Sequence, residues 1–214
     1  LDANTSGAYN TSIGYGTLTL NTTGNDNTAV GINSLAANTT AANNTAVGSS
    51  ALEGNTTGTD NVAVGHQTMD ANTTGDNNVA IGKSALGANT TADDNTAVGY
   101  AALTSNTTGI QNNAVGSSSL YSNTTGNYNT AVGQATLYAN TTGHSNTAIG
   151  DNASQFNTTG YSNISIGVDS GRANTTGAEN TCVGLLAGRY HSANYNTFLG
   201  SRAGYATTSS ENVI

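Results

Sequence analysis

The chain has no proline and no tryptophan, and only one cysteine, one methionine and two phenylalanines among 214 residues. A lone Cys182 excludes an intrachain disulfide framework. Charge is equally scarce: 7% of residues are charged, 12 acidic against 4 basic, for a net −8. With so few cations there is no basic patch to track phosphates, so nucleic acid and anionic membrane surfaces are not expected as partners. No run is long and apolar enough to span a bilayer, so no membrane insertion is expected. With 35% apolar residues and almost no large ones, such a composition would read as disordered if it lacked order along the chain.

That order is present. An Asn leading a block close to Asn-Thr-Ala-Val-Gly recurs every 17 residues, from Asn10 through Asn27, Asn44, Asn61, Asn78, Asn95, Asn112, Asn129, Asn146 and Asn163 to Asn180. Two 16-residue steps then reach Asn196 and Asn212. A short constant period means one unit stacked on itself. The expected fold is all-β: a parallel β-solenoid, or β-roll, of about twelve coils, on the order of 60 Å long at the usual strand spacing. Residues 1–153 read as regular repeats, and 154–214 as modified, shortening coils leading to a further C-terminal part. Both ends cut through a repeat, which predicts a piece of a longer or trimmed protein.

Aligned on one another, the coils turn into columns with the consensus N-T-A-V-G-x-x-A-L-x-x-N-T-T-G-x-x. The fourth column, with Val30, Val47 and Val64, is always a branched aliphatic and reads as the buried strand position. The second, mostly Thr, shares that parity. The third, mostly Ala, points the other way and reads as a small-residue surface against which something packs closely. The ninth is Leu in coils such as those of Leu35 and Leu52, and becomes Ser154, Gly171, Gly188 and Gly204 near the end. A fixed Gly after the aliphatic column, as at Gly31 and Gly48, fits a positive φ or a close backbone approach. The Asn of both blocks, Asn27, Asn44, Asn61, Asn78, Asn95, Asn129 and Asn146 among them, suit side-chain ladders along the axis or turns closed on their own backbone.

No catalytic, metal-ligating or cofactor-binding constellation emerges. His66, His144 and His191 lie far apart and read as surface residues, and Asp26, Asp60 and Asp94 fall at alternate coils, too far apart to share one cation. Asn-Thr-Thr matches the glycosylation sequon, but the match follows from the repeat itself. The individual features lie in the variable columns. Tyr121, Tyr138, Arg172, Arg189 and Tyr205 share one column and form a candidate contact surface, because exposed Tyr and Arg favour recognition.

Asn-Thr-Ala-Val-Gly, Ala-Leu and Asn-Thr-Thr-Gly together resemble repeats of phage tail-fibre and bacterial surface proteins, and the first block is similar to the Ser-Val-Ala-Ile-Gly motif of trimeric autotransporter adhesin heads. The resemblance implies a left-handed β-roll with three chains side by side, the Ala column facing the trimer. The repeat here is longer, and Thr replaces the adhesin motif's first Val. The expected function is the non-enzymatic shaft of a phage tail fibre or bacterial surface adhesin: extracellular, homotrimeric, with a cell-surface glycan or protein as receptor. Alternatives are a self-assembling extracellular filament and an ice-binding solenoid. A glycan-degrading enzyme is disfavoured by the lack of paired carboxylates.

Overall fold

The structure is a computed structural model that describes residues 1–206 and 210. Each repeat places its Thr-Ala-Val block in a three-residue strand: β1 (Thr11–Ile13), β2 (Thr28–Val30), β3 (Thr45–Val47), β4 (Val62–Val64), β5 (Val79–Ile81), β6 (Thr96–Val98), β7 (Asn113–Val115), β8 (Thr130–Val132), β9 (Thr147–Ile149), β10 (Ile164–Ile166), β11 (Thr181–Val183) and β12 (Thr197–Leu199). All twelve form one parallel sheet in chain order, and the described residues contain no helix. The register is the repeat register: Thr45 pairs with Val62, Ala46 with Ala63 and Val47 with Val64. The fold is a parallel β-solenoid.

The shorter step from β11 to β12 leaves the register intact, with Thr181 opposite Thr197 and Cys182 opposite Phe198. The lost residue comes out of the Thr-Thr turn. His191 takes the place of the second-block Asn, and the Ala193 carbonyl accepts from Asn180 Nδ2 at 2.9 Å, a role Gly177 plays for Asn163 at 2.8 Å one coil earlier. The final repeat start, Asn212, lies outside the described residues.

The strands are inside-out relative to the sequence expectation. The Ala column is the buried one: Ala29, Ala46, Ala63, Ala80, Ala97, Ala114, Ala131 and Ala148 are fully inaccessible. They meet Leu35, Leu52, Met69, Leu86, Leu103, Leu120 and Leu137 in one continuous core. The branched aliphatics face outward, with Val30 and Val64 half-buried and Val47 exposed. The reason is volume. Each coil is too thin to hold two large side chains face to face, so the Leu from one side leaves room only for a methyl from the strand. Small size here marks the interior, so the Ala column is not a surface between chains.

Two ladders of buried Asn tie the coils together. In the first, the backbone N–H of each Asn donates to the Asn one coil earlier: Asn61 N to Asn44 Oδ1 at 3.0 Å, and Asn95 N to Asn78 Oδ1 at 3.0 Å. In the second, the amides bond each other directly, as from Asn72 Nδ2 to Asn55 Oδ1 at 2.8 Å. The two ladders converge on one carbonyl. Gly58 O accepts from Asn55 Nδ2 and from Asn44 Nδ2, both at 2.9 Å. From Asn21 to Asn196 the Asn side chains of both ladders are buried, so in the folded chain these sequon amides are closed to glycan attachment, whereas Asn4 at the start of the stack is exposed. The first Thr after most second-ladder Asn adds a further rung, as from Thr56 Oγ1 to Thr73 O at 3.0 Å. Asp76 and Asp93 act in the same way, accepting from the backbone N–H of Thr59 at 2.6 Å and Asp76 at 2.8 Å.

Three positions per regular coil turn in the left-handed region: the residue before the leading Asn, the one before the small eighth residue, and the Leu itself. Asp60, Gln67 and Met69 do so at φ 59°, 51° and 51°. The Gly after the aliphatic column has φ 125–140° throughout, and a Cβ on Gly31 would collide with the Gly48 carbonyl of the next coil. Left-handed geometry costs a non-Gly residue roughly 1–2 kcal/mol, so each Leu sits there against its backbone preference and is held by its burial. Beyond Leu137 the core trades sides. Gly171, Gly188 and Gly204 relieve the turn at φ 56°, 57° and 57°, and the strand residue opposite grows to Ser165, Cys182 and Phe198. A Cβ on Gly188 would lie 2.6 Å from Cys182 Sγ and 2.8 Å from Phe198 Cδ2. What reads in sequence as a tapering is an exchange of volume across the core. Leu103→Ala should therefore destabilise the solenoid by about 2–5 kcal/mol, because Ala97 and Ala114 opposite cannot fill the space; denaturant unfolding followed by circular dichroism measures the loss.

Candidate functional site

Two surfaces carry the features that could act on something outside the chain. The first is the outer face of the sheet. Because Ala points inward, the strand residues on either side of it point outward, giving one row of Thr, Val, Asn or Ile and one row of Val, Ile or Leu. The second row runs without interruption from Ile13 to Leu199, and its members Val47, Ile81, Val115, Val132, Ile149 and Ile166 are each 37–41% exposed. A continuous aliphatic stripe along the length of a sheet is unusual for a surface that faces only water.

The second surface lies just past the Leu column, on the side of the core away from the strands. Its column reads Asp2, Thr19, Ala36, Glu53, Asp70, Gly87, Thr104, Tyr121, Tyr138, Gln155, Arg172, Arg189 and Tyr205, so it changes from acidic through aromatic to cationic along the axis. All five residues singled out from the sequence stand here, in two groups. Tyr121 and Tyr138 stack face to face, centroids 5.0 Å apart and planes 9° from parallel. Arg172 and Arg189 meet over Asp169, with Arg172 Nε 3.5 Å from its Oδ1 and Arg189 Nη2 3.4 Å from its Oδ2. Tyr205 joins the second group edge-on to Tyr190, at 5.2 Å.

The residues that organise the second group were not legible as partners in the sequence. Gln155 Oε1 accepts from Arg172 Nε at 2.8 Å. Phe156 lies under the Arg172 guanidinium and Tyr190 under that of Arg189, each 5.2 Å from the ring centroid. Asp169 sits three residues before Arg172 on a left-handed turn with φ 56°, which folds it back toward the arginines. The signal that could have found them is the one-coil offset: Gln155 and Arg172 are 17 residues apart in one column, and Phe156 and Tyr190 share the next. On the turn edge, His144 and Tyr161 repeat the stacking at 5.1 Å.

His191 departs from the expectation of three surface histidines. It is fully buried in the place of a ladder Asn, its ring edge-on to Phe198 at 5.1 Å and its Nε2 3.4 Å from Asn196 Nδ2. Its Nδ1 makes no hydrogen bond, and burial pushes its pKa below the ordinary value. Cys182, buried with Ala187 and Phe198 in the small C-terminal core, has its thiol pushed up to about 12 by desolvation. Burial also raises the Asp70 carboxyl above the usual carboxylate range, and Glu53 one coil earlier adds to this. Among the described residues no three His, Cys, Asp or Glu side chains come together to hold a metal, and no helix is long and apolar enough to cross a membrane.

No family model, curated protein or solved structure matches the chain. The reading of these surfaces therefore rests on their geometry and chemistry.

Two titrations follow from these environments. Unfolded His191 binds a proton near pH 6.5, whereas the buried ring does so only at lower pH. The stability of the last coils should hold above that range and fall as pH drops through the depressed folded pKa; hydrogen exchange of the amides of β11 and β12, expressed as protection relative to the intrinsic rate at each pH, should show lower protection at pH 5 than at pH 7.5, confined to this end, and His191→Asn should abolish the difference in protection. Asp70 has the opposite sign. Its raised pKa means the charged form is disfavoured in the folded chain, so Asp70→Asn should raise the melting temperature at pH 7. That gain should shrink as pH falls through the Asp70 pKa, which paired melting curves at pH 7 and pH 4 test.

Proposed function

We propose that the chain is the shaft of an extracellular fibre, of the phage tail-fibre or bacterial surface-adhesin kind, in which three copies lie side by side and the rod holds a fixed distance from a particle or cell. The observation that carries this reading is the unbroken outward row from Ile13 to Leu199 on a sheet of twelve in-register strands. A partner able to cover it along its whole length must present matching apolar groups at the same axial repeat, and a second and third copy of the chain do so by construction. The contact face is thus the aliphatic and Thr rows of the strands, in place of the interior Ala column. The resemblance of the Asn-Thr-Ala-Val-Gly block to fibre and adhesin-head repeats supports the fibre reading, but it implies the Ala column as the contact face, and that column lies in the core. The structure's economy suits a spacer: the regular coils repeat the same turns, and the backbone and Asn bonds pass from coil to coil along the axis. The role requires no chemistry, and the reading is of a non-enzymatic protein.

Sedimentation equilibrium with light scattering should give a mass near three times 21.3 kDa in an elongated particle. Val98→Asp combined with Val132→Asp should reduce it to one chain while keeping the β-sheet circular dichroism, because both side chains point out of the fold. A wild-type monomer would sink the trimeric shaft. The outer rows of Thr and Val would then be free on a flat parallel sheet, the arrangement an ice-binding face requires, and an ice-recrystallisation assay would decide that alternative.

A further inference from the structure

The cluster at the C-terminal end of the cationic column is more ordered than a solvated surface needs. Each arginine is fixed by one edge and leaves another unused. Arg172 spends Nε on Gln155 and Asp169, and among the described residues its two Nη nitrogens have no protein partner. Arg189 spends Nη2 on Asp169, and its Nε is buried without a hydrogen bond, so it can meet a ligand only through its Nη nitrogens. Stacking on Phe156 and Tyr190 holds both guanidinium planes in place. A guanidinium with its rotamer already set and an open pair of N–H donors is suited to bidentate capture of a carboxylate. The rings beside it stay accessible, Phe156 at 44% and Tyr190 at 50%.

Charge narrows the choice of ligand. Residues 152–206 hold three arginines against Asp169 and Glu179, a local net of +1 in a chain of −8. Asp169 lies between the two arginines and offsets part of their field, so recognition rests on the geometry of the open guanidinium donors more than on net charge. The site is also extended: its parts repeat at the coil spacing of about 4.8 Å along the axis, which fits a linear polymer with regularly spaced groups better than a compact solute. We propose that the strip formed by Gln155, Phe156, Arg172, Arg189, Tyr190 and Tyr205 binds a carboxylated glycan, with the arginines holding sugar carboxylates and the exposed ring surfaces packing against the apolar faces of the sugars. The choice of a saccharide, among carboxylate-bearing polymers, rests on the extracellular-fibre reading.

The test is isothermal titration of the full chain with polygalacturonate and oligosialic acid, alongside neutral dextran and dextran sulfate. The mass of the same sample by light scattering reports on the fibre reading separately from binding. Binding to at least one carboxylated probe, with none to dextran and weaker binding to dextran sulfate, is the expected result. Arg172→Gln, Arg189→Gln and Phe156→Ala should each weaken it about tenfold or more, Arg172→Lys should weaken it less than Arg172→Gln, and Lys83→Gln, a cation outside the strip, should leave it unchanged. Circular dichroism melts of the variants separate lost binding from lost fold, and Arg172→Lys keeps the test open if a neutral variant fails to fold. The proposal is overturned if neither carboxylated probe binds, if dextran sulfate binds as well as or better than they do, or if the arginine variants bind like wild type.

Discussion

The structure depends on one constraint: every coil must satisfy the polar groups of the coil next to it. A 17-residue turn with a core one Leu thick cannot bury its backbone by itself, so its amides and carbonyls reach along the axis. The buried Asn amides do the part that the short strands cannot. Each takes up a neighbouring backbone group or a neighbouring Asn, and pairs of them converge on a single carbonyl such as that of Gly58. A buried amide left unpartnered costs more than its bond contributes, so an Asn lost from one coil exposes the defect in the next as well. This is why the two Asn positions vary so little along the stack, and why His191, the departure among the described residues, comes with a shortened turn around it.

The thin core imposes a second rule, conservation of volume across the coil. Leu against Ala serves most of the rod, and Gly against Ser, Cys or Phe serves the end. The exchange moves bulk from a residue that must accept a left-handed backbone to one in an extended strand, where a large side chain carries no such cost. It also changes what surrounds the end of the stack: a buried imidazole, a buried thiol and a phenyl ring replace the aliphatic row.

With the interior settled, the surfaces divide the work. The outer strand face carries one aliphatic row from end to end, the feature that the proposed contact between like chains rests on. The column past the Leu row is the reverse, with a sequence that changes from coil to coil and a charge that changes sign along the axis. Its arginines are placed by stacking and by Asp169, an order that the surrounding acidic rod does not otherwise need. Uniformity on one face and individuality on another is the pattern expected of a rod that assembles along its length and recognises something at one end.

The period by itself determined the class of fold and the register between coils, because a repeat without insertions permits only in-register stacking, whereas the single three-residue strand of each coil came from the tertiary structure. The columns also located the Asn ladders and the series of glycines after the aliphatic column, whereas the positive φ of Gly171, Gly188 and Gly204 emerged only from the structure. Which side of the strand is buried was decided only by the tertiary structure. Branched aliphatics at Val30, Val47 and Val64 satisfy every sequence rule for a core position, and the opposing Leu column, invisible to a strand read in isolation, turns them outward. The same holds for His191, whose burial follows from taking a ladder position in a shortened coil, and for Asp169 and Gln155, which become partners of Arg172 and Arg189 only when successive coils lie one strand spacing apart.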